Sequence, residues 1–292
     1  MKAGSFRYER AYTLAEVFRL RKEADGDVQF LAGGQSLLAS LAFRLSEPSL
    51  IIDISRVPEL KGISVLPGGH LRVGALTTHR ELAAHPEVCR CAPLLAEAVP
   101  LIAHAAIRNR GTIGGSLAFA DAAAELPACC VALAARIVAV GPHGERIIPA
   151  ASFFTGLFAT ALAEDELIRA IEFPCAAPGD RATIVELTRR SGDYAMAGLA
   201  AWAQHADGRL QTPRLVYFGV GTGPVVAAEA ARALGPAPWP PHRIAEAQAL
   251  LDRDLDPPAD QHGGPEMKRH LARVLLARAV EQLGAQPGVR AA

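Results

Sequence analysis

Residues 31–36 read LAGGQS and residues 108–116 read RNRGTIGGS, and these two stretches decide the interpretation of the fold. Each contains a glycine pair beside side chains that can donate to an oxygen atom. Because glycine has no β-carbon, its backbone can adopt positive φ, a ligand can approach it closely, and successive N–H groups can turn toward an anion. The two stretches therefore predict two walls of one site that holds a diphosphate between domains.

The alternative for each glycine pair taken alone is a tight turn or a close contact between elements, which is more common than phosphate binding. Known nucleotide-binding motifs do not decide between phosphate binding and a tight turn. The chain has no GxxxxGK[ST] motif and no GxGxxG after its first predicted strand. This excludes a P-loop and disfavours the common dinucleotide-binding fold.

Composition limits the possible partners. The chain has 292 residues, which predicts two or three domains. Thirty basic and thirty acidic residues give a formal net charge of zero, so no overall field favours nucleic acid or an anionic membrane. The apolar stretch from Leu126 to Ala135 is shorter than the ~18 residues of a membrane span. The first residues lack the apolar core of a signal peptide, so we expect a cytoplasmic protein.

The five cysteines are Cys89, Cys91, Cys129, Cys130 and Cys175. An odd number in a chain of this size argues against a disulfide framework, so we expect reduced thiols. Their spacing matches neither a zinc site nor an iron–sulfur cluster. Cys129 and Cys130 are expected to be small buried apolar residues.

Periodicity and turn signals predict an α+β fold. Capping-box patterns at Thr13 and Thr78 each predict the start of a helix. A helical turn is predicted from Ser36, and further helices at 91–106, 244–251 and 266–283. Strands are predicted at 28–31, 50–54, 63–66, 71–75, 136–140, 146–148, 167–173, 183–187, 199–204 and 215–220. Breaks in these patterns predict domains at 1–57, 58–177 and 178–292.

Three stretches together resemble a known family. Residues 31–38 (LAGGQSLL) and 108–118 (RNRGTIGGSLA) are similar to the two FAD signatures of the medium subunit of molybdenum hydroxylases. This family includes aerobic carbon monoxide dehydrogenase and the FAD domain of xanthine dehydrogenase. Residues 189–195 (RRSGDYA) resemble the run that opens the family's C-terminal domain. The resemblance covers nearly the whole chain and implies a two-subdomain FAD-binding domain of the vanillyl-alcohol-oxidase type, followed by a smaller α+β domain.

The resemblance also implies roles for individual residues. The first loop would wrap the FAD pyrophosphate, mainly through backbone N–H groups, with Ala32, Gly33, Gly34, Gln35 and Ser36. The second loop would hold the phosphates and the ribityl chain from the other side, with Thr112, Ile113, Gly114, Gly115 and Ser116. Asp121 and Glu125 match positions that face the ribityl chain, whereas Leu101, Ile168 and Tyr194 match positions near the isoalloxazine ring. On this interpretation Gly33→Val or Gly114→Val abolishes FAD retention and leaves the chain folded, because a side chain occupies the ligand's path.

These assignments have ordinary alternatives. An acid such as Asp121 is usually a solvated turn residue, Leu101 and Ile168 are core residues by default, and Tyr194 could cover a domain seam. The chain also departs from the family. Residues 119–122 read FADA where relatives often have His-Ala-Asp-Pro, and Glu186 replaces a residue that is basic in many relatives.

In this family the substrate is hydroxylated at a molybdenum cofactor in a large subunit, and electrons pass through two [2Fe–2S] clusters of a small subunit to FAD. The resemblance implies that this chain is the FAD-binding electron-transfer subunit of such a heterotrimer, with further dimerisation left open. The external acceptor would be a quinone, oxygen or nicotinamide. Two alternatives stay open: a stand-alone FAD-dependent reductase or oxidase acting on its own small substrate, and a scaffold that keeps the fold without the flavin.

Overall fold

The first sheet has three parallel strands in the computed structural model, which describes residues 3–261 and 263–285. Its strands are β1 (Arg7–Arg10), β2 (Val28–Leu31) and β3 (Leu50–Asp53), in the order β1-β3-β2. Helices α1 (Leu14–Glu23) and α2 (Leu37–Ala42) connect them. The strands predicted at 28–31 and 50–54 are confirmed. β1 is missed by the sequence reasoning because its residues, RYER, have no apolar pattern.

The first helix begins where the capping pattern predicts it. The Thr13 hydroxyl accepts from the N–H of Glu16 at 3.1 Å, and the Glu16 carboxylate accepts from the N–H of Tyr12 at 2.7 Å. β2 then leads directly into the first glycine pair, and α2 begins directly after Ser36. The first loop is therefore held at one end by a strand and at the other by a helix.

The second sheet is antiparallel and follows the first in the chain. The strands of this region are β4 (Ile63–Leu66), β5 (His70–Gly74), β6 (Arg136–Gly141), β7 (Gly144–Pro149), β8 (Phe154–Gly156), β9 (Ala159–Thr160) and β10 (Leu167–Pro174). β8 and β9 form a separate hairpin, and the other strands have the order β4-β5-β10-β6-β7. The two predicted hairpins and the predicted strand 167–173 are confirmed.

Short helices accompany this sheet: α3 (His79–Ala84), α4 (Pro86–Cys91), α5 (Pro93–Ala98), α6 (Ala105–Arg108), α7 (Ile113–Phe119) and α8 (Glu125–Ala132). The predicted start at Thr78 is confirmed by a full capping box with Glu81. The single helix predicted over 91–106 is wrong. That segment is divided into short helices and a 3₁₀ turn (Val99–Leu101), because Pro93 and Pro100 lack the N–H that a continuing helix requires.

The third sheet is antiparallel and is followed by helices. Its strands are β11 (Arg181–Leu187), β12 (Ala197–Ala203), β15 (Arg214–Phe218) and β16 (Val225–Val226), in that order, and β13 (His205–Ala206) and β14 (Arg209–Leu210) form a hairpin around residues 207–208. The helices are α9 (Ala228–Leu234), α10 (Pro241–Asp254) and α11 (Pro265–Gly284). The predicted strands and helices of this region are confirmed, with small shifts of their ends.

The third sheet is covered on both faces. Along β15, Val216 and Phe218 belong to the core of the second sheet, whereas Leu215 and Tyr217 belong to a core shared with α9, α10 and α11. α8 packs against β12 and β15 from the side of the second sheet. The second and third sheets are therefore joined through α8. No helix in the described ranges is long and apolar enough to cross a membrane.

The expectation of reduced thiols throughout is wrong, because the structure joins Cys91 and Cys175 in a disulfide. The pair is separated by 84 residues, and only the fold brings the end of α4 beside the residue that follows β10. The spacing of the cysteines contains no sign of this approach. Cys129 and Cys130 are free and fully buried in α8, as expected, and Cys89 is free and exposed.

Candidate functional site

The first loop presents a row of backbone donors. Gly34 has a φ of +74°, in the left-handed region that glycine reaches without strain. The N–H groups of Gly33, Gly34, Gln35 and Ser36 donate to no acceptor among residues 3–261 and 263–285. The Gln35 side chain donates to the Gly33 carbonyl at 3.0 Å and so stabilises the loop itself. Successive free N–H groups around a positive-φ glycine have the chemistry of an anion site.

The second loop has a different geometry from the one predicted. Gly114 and Gly115 lie in the first turn of α7, and neither has positive φ. The N–H of Ile113 donates to the Thr77 carbonyl at 3.0 Å, and the N–H of Gly114 donates to the Ala75 carbonyl at 2.9 Å. Thr112 caps the helix and accepts from the N–H of Gly115 at 3.2 Å. These N–H groups are therefore not exposed as expected, because they already have acceptors within the fold, and the role of this loop in FAD binding stays a prediction.

The two loops contact each other directly. A β-carbon built on Gly33 would lie 2.2 Å from the Arg110 carbonyl oxygen and 2.9 Å from the Gly111 Cα. A β-carbon on Gly115 would lie 3.9 Å from the β-carbon of Ala32. The structure thus brings the two glycine stretches together as neighbouring walls, although Gly34 and Gly114 are 80 residues apart in the sequence. Glycine at position 33 is required by this backbone contact.

A cavity of about 480 Å³ opens beside the point where the loops meet. Ala32, Gly33 and Thr112 line it on the side of the loops, and Lys61 and Arg110 contribute cationic side chains. Backbone donors and two cations suit the charge of a diphosphate. Sequence reasoning missed both cations. Arg110 stands within the quoted second stretch, whereas nothing in the sequence places Lys61 beside it.

The other predicted residues lie outside the lining of this cavity. Asp121 is half-buried, and its carboxylate accepts from the N–H of Ala123 at 2.9 Å. Leu101 ends the 3₁₀ turn and packs against the core of the second sheet. Ile168 is buried in β10 beside a bulge that separates it from Ala170. Its side chain is a core residue, which matches the ordinary alternative.

Asp121, Glu125 and Glu186 form an acidic cluster where the second and third sheets meet, and Tyr194 lies beside it. Glu125 is buried, and burial, with added repulsion from Glu186 and Asp121, raises its pKa to about 8. Burial raises the pKa of Glu186 to about 7, and one of its carboxylate oxygens is buried with no hydrogen-bond partner among the described residues. Tyr194 is 60 % exposed, and its pKa is raised by partial burial and by Asp121 and Glu125.

The third sheet holds the loop that carries Asp121. The N–H of Gly219, at the end of β15, donates to the Ala122 carbonyl at 2.7 Å. The buried Lys268 of α11 donates to the Gly219 carbonyl at 2.9 Å and pairs with Asp260. Sequence reasoning missed Lys268, because a lysine in a helix is normally a surface residue. Its role becomes visible only when the third sheet is assembled.

The expectation that valine at Gly33 or Gly114 leaves the chain folded is not supported by the geometry. A β-carbon on Gly114 would lie 2.5 Å from the Ala75 β-carbon and 2.8 Å from the Ala75 carbonyl oxygen. At both positions the added atoms meet the chain itself before they meet a ligand. The glycines are required first for the packing that creates the site.

The two glycines of α7 are predicted to differ when each is changed to alanine. Gly114→Ala forces Ala75 to move and lowers the free energy of unfolding by about 1–3 kcal/mol. Gly115→Ala meets only the Thr112 hydroxyl, at 2.9 Å, and points toward Ala32, so it mainly lowers ligand retention. Urea unfolding and flavin absorbance of the two variants measure this difference. Equal losses of stability in both would contradict the assignment of Gly115 to the wall of the site.

The fold and the site define the class of this protein: it is an α+β flavoprotein with an FAD-binding domain. Residues 4–176 match the family model described as the FAD binding domain in molybdopterin dehydrogenase. Residues 182–283 match the CO dehydrogenase flavoprotein C-terminal domain. The chain belongs to this family, that of the FAD-binding medium subunits of molybdenum hydroxylases, and it is an oxidoreductase subunit.

Relatives of known activity cover nearly the whole chain. It is 38% identical over 279 residues to the 6-hydroxypseudooxynicotine dehydrogenase complex subunit alpha of Paenarthrobacter nicotinovorans, covering 95% of this chain and 94% of the relative. It is 34% identical over 286 residues to the nicotine 6-hydroxylase medium subunit of the same organism, covering 98% of this chain and all of the relative. A solved structure of carbon monoxide dehydrogenase from Hydrogenophaga pseudoflava, which lacks the Mo-pyranopterin moiety, superposes with a TM-score of 0.93 at 34% identity, covering 97% of this chain and 98% of that one.

Proposed function

We propose that this chain is the electron-transfer subunit of a molybdenum hydroxylase complex. In this proposal a large subunit holds the molybdenum cofactor, and a small subunit with [2Fe–2S] clusters delivers electrons to the FAD of this chain. The electrons then leave for an external acceptor, either a quinone, oxygen or nicotinamide. Support comes from the relatives, whose names describe a subunit of a dehydrogenase complex and the medium subunit of a hydroxylase.

The observation that carries the proposal is the row of four free N–H groups from Gly33 to Ser36 beside a cavity with two cations. A side chain at position 33 would fill the space where the loops meet. The residues present therefore fit an FAD pyrophosphate, with charge-assisted hydrogen bonds from Lys61 and Arg110. When bound, FAD supplies the capacity to take up electrons singly or in pairs.

The remaining residues keep the roles that the family resemblance implies. Gly115 and Ser116 form the opposite wall, with the Ser116 side chain in the first turn of α7 as a donor. Asp121 and Glu125 face the ribityl chain. Leu101, the backbone near Ile168 and Tyr194 surround the isoalloxazine ring. In this arrangement the protein supplies position and electrostatics, and no nucleophile or acid–base pair of its own is required.

We also propose domain boundaries at 1–57, 58–177 and 178–292. Each proposed domain contains one of the three main sheets. Matches to the two family models end at residue 176 and begin again at residue 182, which supports the second boundary.

Purification of the tagged chain from its native host is predicted to yield a yellow complex with two further polypeptides. The expected complex contains molybdenum and iron, measured by metal analysis, and FAD, measured by absorbance after release. A control purification of the Gly33→Ala variant is expected to give the same polypeptides with less flavin. Yellow protein that is active alone would favour the stand-alone reductase or oxidase, and colourless protein would favour the scaffold.

A further inference from the structure

Arg108, the last residue of α6, directs its guanidinium group at the backbone of the preceding loop. Its Nη1 donates to the Ile102 and Ala103 carbonyls, both at 2.8 Å, and to the Pro100 carbonyl at 3.5 Å. Within residues 3–261 and 263–285, no carboxylate oxygen lies within 4.0 Å of its nitrogens. The partners of this cation are therefore carbonyl groups of one loop.

This loop needs such support. It begins with the 3₁₀ turn Val99–Leu101 and ends at Ala103, which has a φ of +42°. A residue with a β-carbon is strained in the left-handed region, and the surrounding structure must offset this strain. The Ile102 carbonyl that Arg108 binds belongs to the residue directly after Leu101, and the Pro100 carbonyl, directly before Leu101, lies 3.5 Å from the same nitrogen. The guanidinium group thus fixes the backbone beside a residue assigned to the isoalloxazine ring.

The same loop supports a second residue assigned to the ring. Gly192, with a φ of +83°, lies so close to Ala103 that a β-carbon on it would be 2.9 Å from the Ala103 carbonyl oxygen. Gly192 lies in a turn in which the N–H of Asp193 donates to the Arg190 carbonyl at 3.0 Å. Tyr194 follows this turn directly. The Ala103 carbonyl that Arg108 binds therefore also contacts the turn that precedes Tyr194.

We infer that Arg108 is a positioning residue that sets the walls of the isoalloxazine site, with Leu101 on the second domain and Tyr194 on the third. This inference rests on the proposed function, because Leu101 and Tyr194 are assigned to the ring there. Both short bonds come from Nη1, and the planar guanidinium group fixes the directions of the two N–H groups of this nitrogen toward the Ile102 and Ala103 carbonyls. Lysine is a single point charge on a flexible stem and can replace this only in part.

The test compares Arg108→Met and Arg108→Lys with wild type in the purified complex. The free N–H groups of the first loop are unchanged in both, so we expect FAD content to stay close to that of wild type. In Arg108→Met we expect altered flavin absorption bands and fluorescence, and a rate of flavin reduction by substrate about tenfold lower, since small misplacements of reacting groups cost up to about 10²-fold. Arg108→Lys is expected to lie between the two.

Arg80→Met is the matched control, because Arg80 is an exposed arginine on the neighbouring helix α3. It is expected to leave all three readouts unchanged. FAD bound by Arg108→Met with wild-type bands, fluorescence and reduction rate would overturn the inference. If Arg108→Met does not fold or retains no FAD, Arg108→Lys decides: an intermediate shift supports the inference and wild-type values overturn it. Absence of FAD from the wild-type complex would instead overturn the proposed function.

Discussion

Gly33→Ala is expected to lose most of the bound FAD. The new β-carbon would lie 2.2 Å from the Arg110 carbonyl oxygen, which belongs to the backbone and cannot rotate away. The two loops must therefore separate, and the N–H groups from Gly33 to Ser36 move relative to Arg110 and Lys61. A strain of about 1–3 kcal/mol placed on the bound arrangement weakens binding by about 5-fold to about 150-fold. FAD released per polypeptide after gel filtration measures the loss.

Gly4→Ala serves as the control in the same domain. The nearest atom to its added β-carbon is a flexible Glu47 carboxylate oxygen at 3.8 Å, an ordinary contact. This variant is expected to keep its FAD and its unfolding midpoint. Stoichiometric FAD in Gly33→Ala, at a dilution where wild type begins to lose it, would show that the loop contact does not shape the site.

The sequence-based interpretation of the fold succeeded where local signals act within a few residues. Thr13 and Thr78 cap helices as their patterns predict, and the hairpins are found at their glycine-containing turns. Where the predictions failed, the cause is a physical effect that the local apolar pattern does not contain. Apolar spacing over 91–106 suits one helix, but Pro93 and Pro100 divide it. The polar β1 becomes a strand because β3 offers a partner edge.

The candidate site shows the same division. The glycine stretches predicted two opposite walls of one site, and the structure places Gly33 directly against the backbone of the second stretch. The sequence could not show that the N–H groups of Ile113 and Gly114 bond to Thr77 and Ala75, because those partners lie on another segment. The sequence also could not show that Lys61 lines the same cavity as Ala32 and Gly33, because Lys61 lies on another segment of the chain.

Glu125→Gln is expected to stabilise the protein at neutral and alkaline pH and to have little effect at acidic pH. Burial raises the pKa of Glu125 from an ordinary value of 4.5 to about 8, with contributions from Glu186 and Asp121. Between these two pH values the folded chain holds a proton at Glu125 that the unfolded chain has released. The folded state then binds more protons, so its stability falls as pH rises through this window and stays lower above pH 8. Glutamine has no such proton to lose.

The free energy of unfolding, measured in urea from pH 4.5 to pH 9, tests this linkage over the window that the pKa defines. At about 1.4 kcal/mol per pKa unit, the gain of Glu125→Gln over wild type should grow to a few kcal/mol by about pH 8. Each titration is repeated at two FAD concentrations, because a ligand that binds only the folded state adds its own stabilisation. Glu246→Gln, at an exposed position on α10, is the control: the difference between its free energy of unfolding and that of wild type is expected to be the same at every pH. A flat difference for Glu125→Gln as well would mean that the carboxyl group is ionised in the folded protein. The acidic cluster would then carry the negative charge of Glu125 beside Tyr194, and that charge would oppose electron transfer to any flavin held there.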